Sequence, residues 1–465
     1  MPRCPAANLL ATLATAAAVA VVADVSVAQD QPLVFQGNLY DQLPEPFFPT
    51  MFRVRELNGD GFPDLILAGR DPDDRLMTRR GLGNGRFEAL QTLAAPGFTD
   101  WLETGDIDGD WLMDIVTAWR GDVPRLVVHR GIGSGLFDEA IVLAGVDFGG
   151  TGRDPQGIAL GDFDRDGDLD IAVSNYLSQS IDVFTNLGKL AFERTDRVRL
   201  STFLGGYGYP RVVAAADMDG DGDLDLVSNE MGGSRIAVIR NEQSRFTRSV
   251  EYRVPQIGIE RPGLPGMQLV DGDGDGDIDV LAPALLLETT QKVLMFVNDG
   301  TGRLSERLVG ESSPTGYNFS VCFADFDGDG DLDAISGAAI PGTITIGRRT
   351  SAGAFTFEID IAYQFGQLIR HLDAADVDGD CDLDIVGIDA PSRTVFVRRN
   401  ITPQQSGCGG GLASAEAPDA PPLPKPARGA VPRFDRDHDG AITAADVAVW
   451  LSEISRGGKI GRAHF

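Results

Sequence analysis

The segment DFDGDGDLDAI (325–335) places five carboxylates within nine residues, threads them with glycine, and then turns apolar. Like charges this close repel, so the segment calls for a countercharge. Asp325, Asp327 and Asp329 alternate along the chain and converge on one point if the backbone turns tightly at Gly330, and Asp333 follows at the ninth position. Oxygen donors at this density, with no His or Cys among them, suit Ca²⁺, which takes about six to eight oxygen ligands in tolerant geometry. Mg²⁺ keeps more of its waters and needs fewer carboxylates. Ala334-Ile335 continues as a strand, so the loop reads as a metal clasp tying one strand to the next.

The pattern repeats. Its first position falls at Glu56, Asp106, Asp162, Asp217, Asp271, Asp325 and Asp376, at steps of 50, 56, 55, 54, 54 and 51 residues. A period near fifty without helical patterning points to propeller blades. In the fourth unit RVVAAADM leads into DMDGDGDLD, and LVSNE, RIAVIRN and RFTRSVEYRV follow. These are four short runs rich in β-branched residues, A to D, with the Asp loop between A and B. A Gly- or Asn-rich turn marks the passage from C to D, as in GLGNGRF (81–87) and NDGTGRL (298–304). Six such turns stand against seven Asp loops. The seventh unit reaches strand C at TVFVRRN (394–400) and then gives way to ITPQQSGCGGG. Residues 32–40 are an apolar run with no unit of their own and are predicted to supply the missing strand. The expected fold is all-β, a seven-bladed propeller over 32–402 closed by an N-terminal strand, because closure hides the sheet edges.

On these motifs the chain resembles the FG-GAP/VCBS repeat family, calcium-loop β-propellers also seen in integrin α subunits. The resemblance implies Ca²⁺ at positions 1, 3, 5 and 9 of each loop, about seven sites. The third loop (Asp162, Asp164, Asp166, Asp170), fourth (Asp217, Asp219, Asp221, Asp225), fifth (Asp271, Asp273, Asp275, Asp279) and sixth (Asp325, Asp327, Asp329, Asp333) match in full. The first has Glu56 and Asn58 before Asp60 and Asp64 and is expected to bind more weakly. The second (Asp106, Asp108, Asp110, Asp114) has Trp111 where glycine belongs, at a position that favours positive φ. The seventh (Asp376, Asp378, Asp380, Asp384) has Cys381 there. Cys381 is either a small residue tolerated in a loop or the partner of Cys408 in a disulfide closing the last blade, and Cys322 reads as a buried thiol.

Forty basic residues against 69 acidic ones give a net charge of −29, which argues against a nucleic-acid partner. Arg3, the apolar run Leu9 to Val22 and Ser26-Val27-Ala28 read as a secretory signal over 1–28, with an N-terminal anchor as the other reading. No later run is apolar enough for a membrane span, so the expected location is extracellular or at the cell surface.

After a Gly/Pro/Ala-rich linker (403–431) comes FDRDHDGAITAADVAVWLSEI, within 432–456. Asp435, Asp437, Asp439, Ala441 (through its carbonyl), Thr443 and Asp446 fall at EF-hand spacing for one further Ca²⁺, and Thr443 also caps the predicted helix. Val447, Trp450, Leu451 and Ile454 share one face of that helix. This segment resembles a dockerin or EF-hand module, which implies a cohesin-type partner. It is a single copy where such modules pair two, so its apolar face could instead dock on the propeller or on another chain.

No catalytic constellation stands out. His129, His371, His438 and His464 are scattered, and His371 reads as a packed strand residue. Asp pairs inside calcium loops are ionised and make poor general acids. Aromatics such as Phe47, Phe48, Trp101 and Tyr209 fall near the predicted D–A connections, either packing between blades or offering a protein or glycan a stacking surface on the face opposite the Asp loops. Three functions follow in order: a secreted non-catalytic binding module, an extracellular polysaccharide-acting enzyme or its accessory subunit, and a purely structural surface protein.

Overall fold

The computed structural model describes residues 33–70, 75–95, 98–120, 123–143, 154–200, 209–230, 235–253, 267–284, 291–312, 318–338, 343–348, 358–364 and 369–402. The expected signal segment, the linker and the C-terminal calcium loop and helix lie outside them. Seven four-stranded antiparallel sheets stand in sequence order. Five of them are built from consecutive strands, as in blade 4: A (Pro210–Ala216), B (Asp225–Glu230), C (Arg235–Asn241) and D (Phe246–Arg253), and in blade 2 a two-stranded hairpin (Gly131–Gly133 with Leu136–Phe137) stands between C and D. In blade 2 strand D is only Ile141–Val142. No helix of the described residues is long and apolar enough to cross a membrane.

The seventh sheet takes its outer strand from the start of the chain. Phe35–Gln42 pairs antiparallel with Thr394–Asn400, setting Leu39 against Val397 and Tyr40 against Phe396. The strand predicted over 32–40 therefore forms and runs two residues further. Val34 donates its N–H to Thr402 Oγ1 (2.8 Å) and accepts from the Ile401 N–H (2.8 Å), which fixes the seam at both chain ends.

Seven apolar clusters hold the ring, one at each junction between blades. Leu33 and Phe35 pack into the junction of blades 6 and 7. Leu43, Phe47, Phe52, Leu65 and Phe87 meet Val386, Ile388, Val395 and Val397 at the junction of blades 7 and 1. These interfaces are tight. A methyl group added to Gly337 in blade 6 would lie 2.6 Å from the Ile369 side chain in blade 7. Strand B is buried on both faces, which is why its sequence reads as a continuous apolar run rather than an alternation.

Candidate metal centres

Each Asp loop joins strand A to strand B, and its ninth position is the first residue of strand B in all seven blades. The first position folds the loop. Asp325 accepts the N–H groups of Gly328 (2.8 Å) and Gly330 (3.0 Å), one on each oxygen. Asp217, Asp271 and Asp376 repeat the arrangement. Glu56, longer by one methylene, makes the same bonds to Gly59 and Gly61. The sixth position has positive φ throughout, and the chain keeps it where glycine is replaced: φ is 72° at Trp111 and 76° at Cys381. Those two loops keep their shape at a local cost of about 1–2 kcal/mol each. Cys381 is disulfide-bonded, its partner lying outside the described residues, as Cys408 does. Cys322 is a buried thiol in strand A of blade 6.

The ninth position does more than the sequence reading asked of it. Asp225 is buried, and one oxygen accepts the N–H of Met218 in its own loop (3.2 Å). The other accepts the N–H of Asn241 at the end of strand C (2.7 Å). Asp114, Asp170, Asp279 and Asp384 hold the same two places. Burial, aided by the neighbouring loop carboxylates and opposed by these N–H bonds, pushes Asp114, Asp170, Asp225 and Asp279 up to about 7 and Asp384 to about 8.

Carboxylate oxygens from positions 1, 3 and 9 approach within 4.8 Å of one another in the second to sixth loops, as with Asp325, Asp327 and Asp333. The fifth position stands outside these groups. Its oxygen accepts the N–H of the seventh residue, as Asp329 does from Asp331 (2.8 Å). At the third position of loops 2, 4 and 7, Oδ1 of Asp108, Asp219 and Asp378 is buried and receives no hydrogen bond. Three carboxylates, buried acceptors lacking a donor and upward-shifted acids together describe a place where a hard divalent cation fits.

The first loop differs. Asn58 Nδ2 donates to both oxygens of Asp64 (3.2 and 3.0 Å), so an amide stands where the other loops converge three acids. Asn58→Asp is expected to cost about 1–2 kcal/mol in chelator, by losing a buried hydrogen bond and adding repulsion. With calcium present it should regain that stability and bind one further ion. Paired urea titrations and elemental analysis check both halves, and a loss of equal size in calcium would refute the account.

Two recurring partners escaped the sequence reading. Asn186, Asn241, Asn298 and Asn400 end strand C, and each sends its side-chain amide to a carbonyl in the Asp loop of the preceding blade, at 2.6–2.9 Å. Arg130, Arg240, Arg348 and Arg399 sit beside this position and approach the third-position carboxylate of their own blade at 2.7–3.9 Å. The dipeptide Arg-Asn at 240–241 and 399–400 was the available signal.

A polar cluster lines the channel where blades 7, 1 and 2 meet. Arg53 forks onto Glu103 (2.6 and 3.4 Å) and lies 5.1 Å above the Trp101 ring, whose N–H donates to Glu103 (2.7 Å). His371 Nε2 lies 3.2 Å from the Arg53 guanidinium, and its ring meets Phe52 edge-on. Burial first, then Arg53 and Arg55, push His371 down to about 3, so it is a neutral acceptor. His371 is thus the packed strand residue that the sequence predicts. Trp101 stands in strand A rather than in a connection, Phe47 is buried in the core, and Tyr209 stacks on Tyr176 at 4.6 Å.

No curated protein matches this chain by sequence. The solved structure of BBS1N in complex with ARL6DN is similar to it, with a TM-score of 0.53 at 10% identity over 82% of this chain and 99% of that one. A "putative 6-phosphogluconolactonase" from Bacteroides uniformis is similar with a TM-score of 0.50 at 14% identity, over 69% and 86%. At such identities the likeness concerns the fold alone. The family model of the FG-GAP-like repeat matches residues 57–117, 106–173, 162–228 and 271–336, just over half of the chain. Each match begins at or beside an Asp loop and runs through a following strand B, so the matches take in the carboxylate groups of the second to sixth loops, and the chain belongs to the FG-GAP-like repeat family.

Proposed function

We propose that the protein is a secreted, calcium-stapled propeller that binds a protein or glycan without catalysis. The observation that carries this reading is where the polar chemistry is committed. Loop carboxylates hold their own backbone and converge on cation positions within single hairpins, leaving no room there for a substrate. In the channel Glu103 is taken by Arg53 and Trp101, and His371 is neutral against Arg53. A general base needs access to a substrate proton, and both groups are held by these partners instead. On the face opposite the Asp loops, the Tyr176–Tyr209 stack lies at the junction of blades 3 and 4, beside the exposed Leu177. Paired aromatic faces suit sugar rings or a peptide side chain.

The test is a glycan array and a polysaccharide panel with the full chain in calcium. Binding without turnover, weakened about tenfold or more by Tyr209→Ala, is the expected result. Turnover on the panel would replace this reading with the polysaccharide-acting enzyme, for which the channel cluster is the starting point. Neither binding nor turnover would leave the purely structural role.

A further inference from the structure

In blades 1 to 5 and in blade 7 the chain leaves strand C at the same register among the described residues, and in four adjacent blades the second residue of that exit is apolar and exposed. Ile401, Leu82, Ile132 and Leu187 stand there in blades 7, 1, 2 and 3 at 46, 42, 52 and 62% exposure. In blades 4 and 5 the same position holds Glu242 and Asp299. Trp111, on the Asp loop of blade 2 at the same end of the ring, is 75% exposed. A single exposed apolar side chain is ordinary. The same register in four consecutive blades, with a tryptophan among them and acids in the next two, marks one arc of this face as built to be covered.

The chain itself supplies the cover. The described residues end at Thr402, next to Ile401, so the polypeptide leaves the ring on the arc. The linker 403–431 has a random-coil reach of roughly 30 Å, enough for the neighbouring blades. Beyond it the sequence sets Val447, Trp450, Leu451 and Ile454 on one predicted helix face. The closing stretch SRGGKIGRAHF (455–465) carries Arg456, Lys459 and Arg462 and no acid, against a face rimmed with aspartates. Apolar side meets apolar arc, and basic end meets acidic rim. We propose that residues 432–465 dock in cis on the arc formed by Ile401, Leu82, Trp111, Ile132 and Leu187, covering one side of the Asp-loop face.

Timed trypsin digestion of the full chain in calcium tests this. Arg428, in the linker, should be cut first, and Arg456 and Lys459 at least about tenfold more slowly, since cleavage follows the undocked fraction. Ile132→Asp with Leu187→Asp should bring Arg456 to the rate of Arg428, and Trp450→Glu should do the same from the other side of the contact. Glu242→Ala, outside the arc, should change nothing. The arc positions are exposed, so thermal unfolding of the ring serves as the control for folding. Equal cutting at Arg428 and Arg456 in the unaltered chain would overturn the proposal, as would protection that survives the arc substitutions. Protection that grows with protein concentration, together with a doubled mass, would assign the arc to a second copy and overturn docking in cis.

Discussion

Stripped of calcium at pH 8, the ring is expected to lose more than about 15 °C of its unfolding midpoint. A cation held at a hundred times its dissociation constant stabilises a fold by about 2.7 kcal/mol per site. Two such sites already approach the about 5–15 kcal/mol that keeps a typical domain folded. The pH dependence carries the finer test. Asp114, Asp170, Asp225 and Asp279 are pushed to about 7 and Asp384 to about 8, from an ordinary 3.8. A folded-state value above the unfolded one means that the fold holds these protons more tightly. Their contribution is fully present below about pH 4 and is lost as pH rises through about 7 to 8. The chelated protein should therefore weaken from pH 5.5 to pH 8. Calcium requires the ionised carboxylate, so its benefit should grow over the same interval. Melting curves with and without calcium should diverge as pH rises. Curves that run parallel or converge would mean that these aspartates are not where the cation acts.

The second large effect belongs to the closing strand. A chain lacking residues 33–42 loses Leu33 and Phe35 from the junction of blades 6 and 7. Two buried apolar side chains represent about 3–6 kcal/mol before any lost hydrogen bond is added. It also leaves Thr394–Asn400 as an open edge carrying Val395, Phe396 and Val397, a ready template for another chain. The truncated protein should lose its cooperative transition or self-associate. A synthetic peptide spanning residues 29–43 should restore the transition and suppress the association. A truncated monomer that melts like the full chain would show that ring closure adds nothing.

The Asp loops and the missing seventh D strand were readable from the chain because both rest on local spacing and on counting. The twin role of the ninth aspartate was not. In the string Asp225 looks like Asp221, and only strand pairing brings the Asn241 N–H, sixteen residues on, to its second oxygen. The amide lock of Asn58 on Asp64 was half readable: the substitution showed a weakened site, but not that the amide takes over the bonding. Farthest from reach was the channel cluster, since Arg53 and His371 lie 318 residues apart and meet only because blade 7 closes on blade 1. One hint was present. Arg53 and Glu103 each stand three residues before the first position of a loop, where blades 3 and 4 have Ala159 and Ala214.

The asparagine at the end of strand C gives the ring a direction. Asn186 completes the loop of blade 2, Asn241 that of blade 3, Asn298 that of blade 4 and Asn400 that of blade 6. Each of these clasps waits for the blade made after it, so a growing chain would lag by one unit in setting its cation positions. The strand Phe35–Gln42 waits longest: it is synthesised first and finds its partner, Thr394–Asn400, only when the last blade exists. Pairing across such a separation is slow, and until it happens the newborn protein carries an unmated strand at each end.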